Sequence, residues 1–155
     1  MIEMKVLHVV AGVEEGGGIG QSVPLLCRAL KVRGHRVMLA TLDYRVSEAA
    51  RTTARTGVSL TLMRRSCPQR LWFSWQMLSK LPTLVRSADI VHVHSNWTFP
   101  VWWACLCAYL FKKPWLMSPR GCLAPERLRR SAWKKRVAGF CFDRSCLRGA
   151  LAVHA

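Results

Sequence analysis

At 155 residues the chain fits one domain and is long enough to bury a core without disulfide staples. A hydrophobic content of 51% excludes a disordered segment. The formal net charge of +16, with a sequence pI of about 10.7, favours anionic partners: nucleic acid, anionic lipid headgroups or phosphorylated substrates.

In chain order, Lys5–Val10 reads as a short apolar strand. Met1 leads almost at once into it, so no signal peptide is expected. Ile19, Val23, Leu26 and Leu30 then recur at helical spacing, and Gly34 closes that helix as a C-cap. Pro24 is tolerable only near a helix start, which places the N-terminus at Gln21 or Ser22. Arg36–Thr41 and Val58–Met63 read as strands, while residues 45–57 fit either helix or loop. Leu71 to Arg86 has a helical pattern that Pro82 is expected to kink or split. Ile90–His94 is a fourth strand. Thr98–Phe111 is an apolar helix with Pro100 in its first turn. Trp115–Ser118, a basic helix from Glu126 to about Leu147, and a sixth strand at Ala150–His154 complete the series. This alternation predicts an α/β fold: a Rossmann-like, doubly wound parallel sheet of about six strands with helices on both faces, residues 1–155 forming one domain.

The apolar run Trp97 to Phe111 is shorter than the ~20 residues of a membrane-spanning helix. It suits a buried helix, and Trp102 and Trp103 beside Lys112 and Lys113 also suit a membrane interface. The basic helix carries eight cations between Arg127 and Arg148 around an apolar stripe of Trp133, Val137, Phe140 and Cys141. Such a face fits an anionic membrane surface or plain solvent. The seven cysteines are odd in number and follow no framework, which indicates reduced thiols and a cytoplasmic setting.

Ligands of an open parallel sheet bind beyond the carboxyl ends of its strands. After the first strand comes Gly12-Val-Glu-Glu-Gly-Gly-Gly-Ile-Gly20, in which Gly16, Gly17, Gly18 and Gly20 free the backbone for close approach. The helix that follows offers free N–H groups to a phosphate. No Gly-Lys-Ser/Thr completes a P-loop, and the glycine spacing does not match a dinucleotide fingerprint. After the fourth strand comes His92-Val-His94-Ser-Asn-Trp97, with His92 and His94 on one face. His94 lies nearer the carboxyl end, and His92 reads as a core histidine. Two histidines make a poor metal site, so no metal or other cofactor is expected. After the fifth strand, Ser118-Pro-Arg-Gly-Cys122 aims Arg120 as a candidate phosphate ligand. Asp43, after the second strand, stands where a ribose-binding acid would lie.

These segments together resemble the N-terminal half of a family 4 glycosyltransferase, the retaining GT-B type with two Rossmann-like domains. The resemblance rests on Met4-Lys-Val-Leu-His-Val-Val10, Gly17-Gly-Ile-Gly-Gln-Ser-Val-Pro-Leu-Leu26, Leu30-Lys-Val-Arg-Gly-His-Arg-Val37, Asp89-Ile-Val-His-Val-His94, Asn96-Trp97, Ser118-Pro-Arg-Gly-Cys-Leu123, Trp133-Lys-Lys-Arg136 and Ala152-Val-His-Ala155. It implies transfer of a sugar from a nucleotide-sugar donor to a polysaccharide or lipid-linked acceptor, without a metal. It implies that Gly16, Gly17, Gly18 and Gly20 face the donor diphosphate. His94, the catalytic candidate, would line the acceptor side with Asn96 and Trp97. Many relatives carry a histidine where this chain has Arg120; a guanidinium cannot act as a base, so its implied role is electrostatic and the base is unassigned. The donor-binding C-terminal domain is expected to be absent, which would leave the chain inactive alone. A peripheral place at the inner membrane face is also implied. The alternatives are a nicotinamide-dinucleotide domain built around Asp43 or a basic nucleic-acid or membrane module, with no specific nucleic acid expected.

Overall fold

The computed structural model describes residues 2–120 and 144–154. Six parallel strands alternate with helices in chain order. They are β1 (Lys5–Val10), α1 (Gly18–Val32), β2 (Arg36–Leu42), α2 (Glu48–Arg55), β3 (Ser59–Met63), α3 (Trp75–Ser87), β4 (Ile90–His94), α4 (Phe99–Leu110), β5 (Trp115–Ser118), α5 (Arg144–Arg148) and β6 (Ala152–Val153). The strand order β3-β2-β1-β4-β5-β6 is that of the doubly wound α/β fold. Its order reverses between β1 and β4, where His8 pairs with His92 and Val10 with His94.

Side-chain alternation divides the core into two layers. Leu7 and Val9, Val91 and Val93, and Met117 face one side, where Met77, Leu81 and Val85 of α3 and Val101, Ala104 and Ala108 of α4 pack on them. Val10, Val37 and Leu39 face the other side under Val23 and Cys27 of α1 and Ala50 of α2. His8, His92, His94 and Ser118 share this second face by the same period of two, so the polar residues of β1, β4 and β5 cluster rather than scatter.

Two prolines sit inside helices without breaking them. Helix α1 starts at Gly18, earlier than the sequence predicts, so Pro24 lies well within it. Proline has no N–H for the carbonyl four residues back, here Gly20. The Ser47 hydroxyl donates to that carbonyl instead, at 2.8 Å. Pro82 likewise does not split α3. The orphaned carbonyl is that of Leu78, and the Trp103 indole N–H donates to it at 3.2 Å. Each gap is closed from a neighbouring element, which local pattern cannot reveal.

Residues 45–57 contain a helix, α2, capped by Ser47, whose Oγ accepts from the Ala50 N–H. Strand β6 keeps only two of the five expected residues, pairing with Leu116 and Met117 at the sheet edge. Of the predicted basic helix, Arg144–Arg148 is seen as α5; Arg127, Arg129, Arg130, Lys134, Lys135 and Arg136 lie outside the described residues, as do Gly121, Cys122 and Cys141. No helix among the described residues is long and apolar enough to cross a membrane.

Candidate functional site

A cleft of about 790 Å³ opens at the carboxyl ends of β1 and β4, where the strand order reverses. Its floor and walls come from the three segments singled out above, joined by Trp72 from the segment before α3. After β1, Gly16 turns the chain at φ +73°. The Gly17 N–H then donates to the Glu14 carbonyl at 3.3 Å and closes the loop onto α1. Gly20 must lack a side chain, because a Cβ there would overlap that same carbonyl. Gly18 has open space above its α-carbon. Gly17, Gly18 and Gly20 line the cleft, whereas exposed Gly16 shapes the turn without lining it.

Helix α1 begins at this wall with Gly17 as N-cap, no side-chain cap and no acid in its first turn. Its first amides and the positive end of its dipole are therefore directed to the cleft. Thr98, the N-cap of α4, lines the cleft from the other side and makes no side-chain cap bond. Two helix N-termini thus converge on one space, which favours an anion. The acidic pair alters this little. The Glu15 carboxylate is turned away to accept from the Glu48 N–H at 2.8 Å, capping α2, and Glu14 alone lines the cleft.

Arg120 supplies the cation. It follows β5 at φ +52°, lines the cleft, and its Nη1 donates to Ser22 Oγ at 3.3 Å. Its Nε is buried without a partner among the described residues. Ser95 and Trp97, after β4, also hold left-handed φ values of 74° and 63°. Strained backbone at three residues that follow two neighbouring strands is the mark of a site held in place by its surroundings.

The histidines lie below this surface. His94 is fully buried, and its Nε2 stands 3.0 Å from His8 Nδ1, so the two rings share a proton. His92 hydrogen-bonds Ser118 Oγ at 2.9 Å, in keeping with a satisfied core histidine. Burial, reinforced by His92 and Arg120, pushes His8 down to about 3; burial and the Arg120 charge take His92 to about 4. His94 is held well below the ordinary histidine range, first by burial and then by His92, His8 and Arg120. All three are neutral at pH 7, so His94 carries no proton to donate as an imidazolium.

His8 is the ring that the sequence reading missed, because β1 reads as an apolar strand and its pairing with β4 is a tertiary fact. With it, three imidazoles offer nitrogens within 4.8 Å of one another, the group best placed to hold a metal among the described residues. Two of those nitrogens already share a proton, and the Arg120 charge opposes a cation beside them. The arrangement is read as a polar core under the cleft.

Asn96 is 2% exposed, and neither end of its amide finds a partner among the described residues. Trp97 is half-buried, and neither it, Asn96 nor His94 lines the cleft; Ser95 and Thr98 from the same segment do. Asp43 is exposed and outside the cleft lining. Cys27 and Cys107 are poor nucleophiles, since burial pushes their thiols up to about 12 and about 11.

Comparison with known proteins gives the chain a family and a shared fold. The family described as "Glycosyl transferase 4-like domain" matches residues 17–155. Among solved structures, HepE of Anabaena in complex with UDP and glucose superposes with a TM-score of 0.63 at 13% identity, over 97% of this chain and 37% of that one. MurG of Acinetobacter baumannii gives 0.56 at 13%, over 97% and 40%. A putative UDP-N-acetylglucosamine 2-epimerase from Listeria monocytogenes gives 0.62 at 15%, over 100% and 39%. At such identities the likeness is one of fold, and the chain spans about two fifths of each neighbour's length. No curated protein sequence matches it.

Proposed function

The chain belongs to the glycosyl transferase 4-like domain family, and on that premise we propose that it is the acceptor-side half of a retaining glycosyltransferase. It works with a donor-binding half to move a sugar from a nucleotide-sugar to a polysaccharide or lipid-linked acceptor, and is inactive without that half. The observation that carries this reading is the cleft at the strand-order reversal, where the N-termini of α1 and α4 and the Arg120 guanidinium converge. All three are suited to the charge that a diphosphate leaving group gathers during transfer. Gly17 and Gly18 approach that diphosphate with backbone amides, and Gly16 and Gly20 keep the loop in shape. Arg120 neutralises it. His94, Asn96 and Trp97 support the acceptor side from beneath; neutral His94 holds that floor through its proton shared with His8.

The nicotinamide alternative gains nothing from the structure, since Asp43 stands outside the cleft. Membrane contact is assigned to the outward side of α4. Trp102 and Trp103 are half-buried there, and the exposed apolar groups are instead Leu106, Tyr109 and Leu110 beside Lys112. The basic segment Arg127–Arg148 adds attraction to anionic lipid.

Titration with pyrophosphate and UDP, followed by amide NMR, tests the diphosphate reading. The Gly17 and Gly18 signals are expected to move, and Arg120→Gln is expected to weaken binding about tenfold, the effect of one charge-assisted hydrogen bond. Unmoved glycine signals, or tighter binding of NAD with a shift at Asp43, would overturn it.

A further inference from the structure

Two of the residues that line the cleft carry charge, and the diphosphate reading uses one of them, Arg120. The other is Glu14, which is half-buried. Its backbone is fixed from three sides. It bridges Val46 in an antiparallel pair, and its carbonyl accepts from the Gly17 N–H at 3.3 Å. Gly20 packs against the same peptide, where a Cβ would overlap it. The Glu14 side chain runs past Gly12. Its Cγ is 3.8 Å from the point where a Cβ on Gly12 would stand, and the edge of the Trp72 indole is 3.1 Å from that point. Gly12 and Trp72 also line the cleft, so the carboxylate arm and the indole meet over one patch of its wall.

This carboxylate has no partner among the described residues. The ion pairs among them are Arg36–Glu3 and Arg55–Glu48, so Arg120 does not neutralise Glu14. In this Glu14 differs from Glu15, whose carboxylate caps α2. The buried histidines and Asp43 stand outside the cleft lining. Glu14 is therefore the one anionic hydrogen-bond acceptor among the described residues of the wall.

We propose that Glu14, with Trp72 beside it, binds the acceptor through two neighbouring hydroxyls of a neutral pyranose. This rests on the reading of the cleft as a glycosyl-transfer site. An ionised carboxylate accepts through two oxygens, and two adjacent sugar hydroxyls donate in a matching arrangement. The indole supplies apolar surface for the ring C–H groups next to those hydroxyls. Charge decides against other sugars. A carboxylated or sulfated ring would meet Glu14 as a like charge. An amino sugar would bring its ammonium into a space governed by Arg120 and two helix N-termini. A neutral diol meets neither penalty.

Methyl β-D-glucoside, methyl β-D-galactoside and methyl α-D-mannoside, which between them present trans and cis diols, serve as probes in NMR titrations of the full chain. The signals followed are the Gly12 and Glu14 amides and the Trp72 indole N–H. At least one sugar is expected to move all of them. Glu14→Gln should weaken that sugar about tenfold, the effect of one charge-assisted hydrogen bond, and Trp72→Ala should weaken it as well. Pyrophosphate should bind Glu14→Gln no less tightly than wild type, because a negative charge has left the cleft. Loss of both ligands in Glu14→Gln would mark Glu14 as a structural residue and overturn the proposal. Silence from every sugar, or full sugar affinity in Glu14→Gln, would do the same. Pyrophosphate shifts at Gly17 and Gly18 without any sugar response would sink this site and leave the transfer reading standing. Sugar binding without pyrophosphate shifts would do the reverse.

Discussion

His8, His92 and His94 are neutral because they are buried, and that choice has a pH signature. Each has a folded-state pKa below the ordinary histidine value of 6.5. The unfolded chain therefore takes up protons before the folded one does. The stability they contribute is fully present above pH 6.5 and is lost as pH falls toward the folded values, about 4 for His92 and about 3 for His8. Each neutral histidine contributes a slope of about 1.4 kcal/mol per pH unit within that window. Urea unfolding at pH 7.5, 6 and 5 should show a steep decline, shallower in His8→Gln by one histidine's share. A flat profile would contradict the buried, neutral assignment.

Among the elements, Ser47 joins α2 to α1. Its Oγ caps α2 by accepting from Ala50, and its hydroxyl donates to the Gly20 carbonyl that Pro24 leaves without an N–H. Thr53 adds a second bond between the same helices, to the Pro24 carbonyl at 3.4 Å. Ser47→Ala removes a cap worth about 1 kcal/mol and strands a buried carbonyl at about 1–3 kcal/mol. A loss of roughly 2–4 kcal/mol in chemical denaturation is expected. A loss below about 0.5 kcal/mol, the usual size of a surface substitution, would show that water or a shifted backbone replaces Ser47. The same serine explains why sequence placed the start of α1 too late. Pro24 reads as a near-terminal residue unless a donor from another element is known to serve the carbonyl behind it.

For the whole molecule, a net charge of +16 and the apolar exposure of α4 combine into one expectation. The protein should sediment with vesicles containing phosphatidylserine at low salt and be released as salt screens the attraction. Leu106→Glu should weaken retention at constant salt. Equal binding to neutral vesicles, or none to anionic ones, would remove the membrane from the proposal.

The sequence by itself determined the α/β class, most strand and helix positions, and the three loops that meet at the cleft, because hydrophobic period, glycine placement and strand-end logic are local signals. Strands β4 and β5 follow their predicted bounds for this reason. Tertiary structure decided what lies across from what. It placed His8 beside His94 through strand pairing, turned Glu15 away from the cleft, exposed Leu106 and Tyr109 in place of Trp102 and Trp103, and brought Trp72 to the cleft wall. Each of those facts depends on contacts between residues far apart in the chain. Periodicity reports which face of its own element a residue occupies, and says nothing of what that face meets.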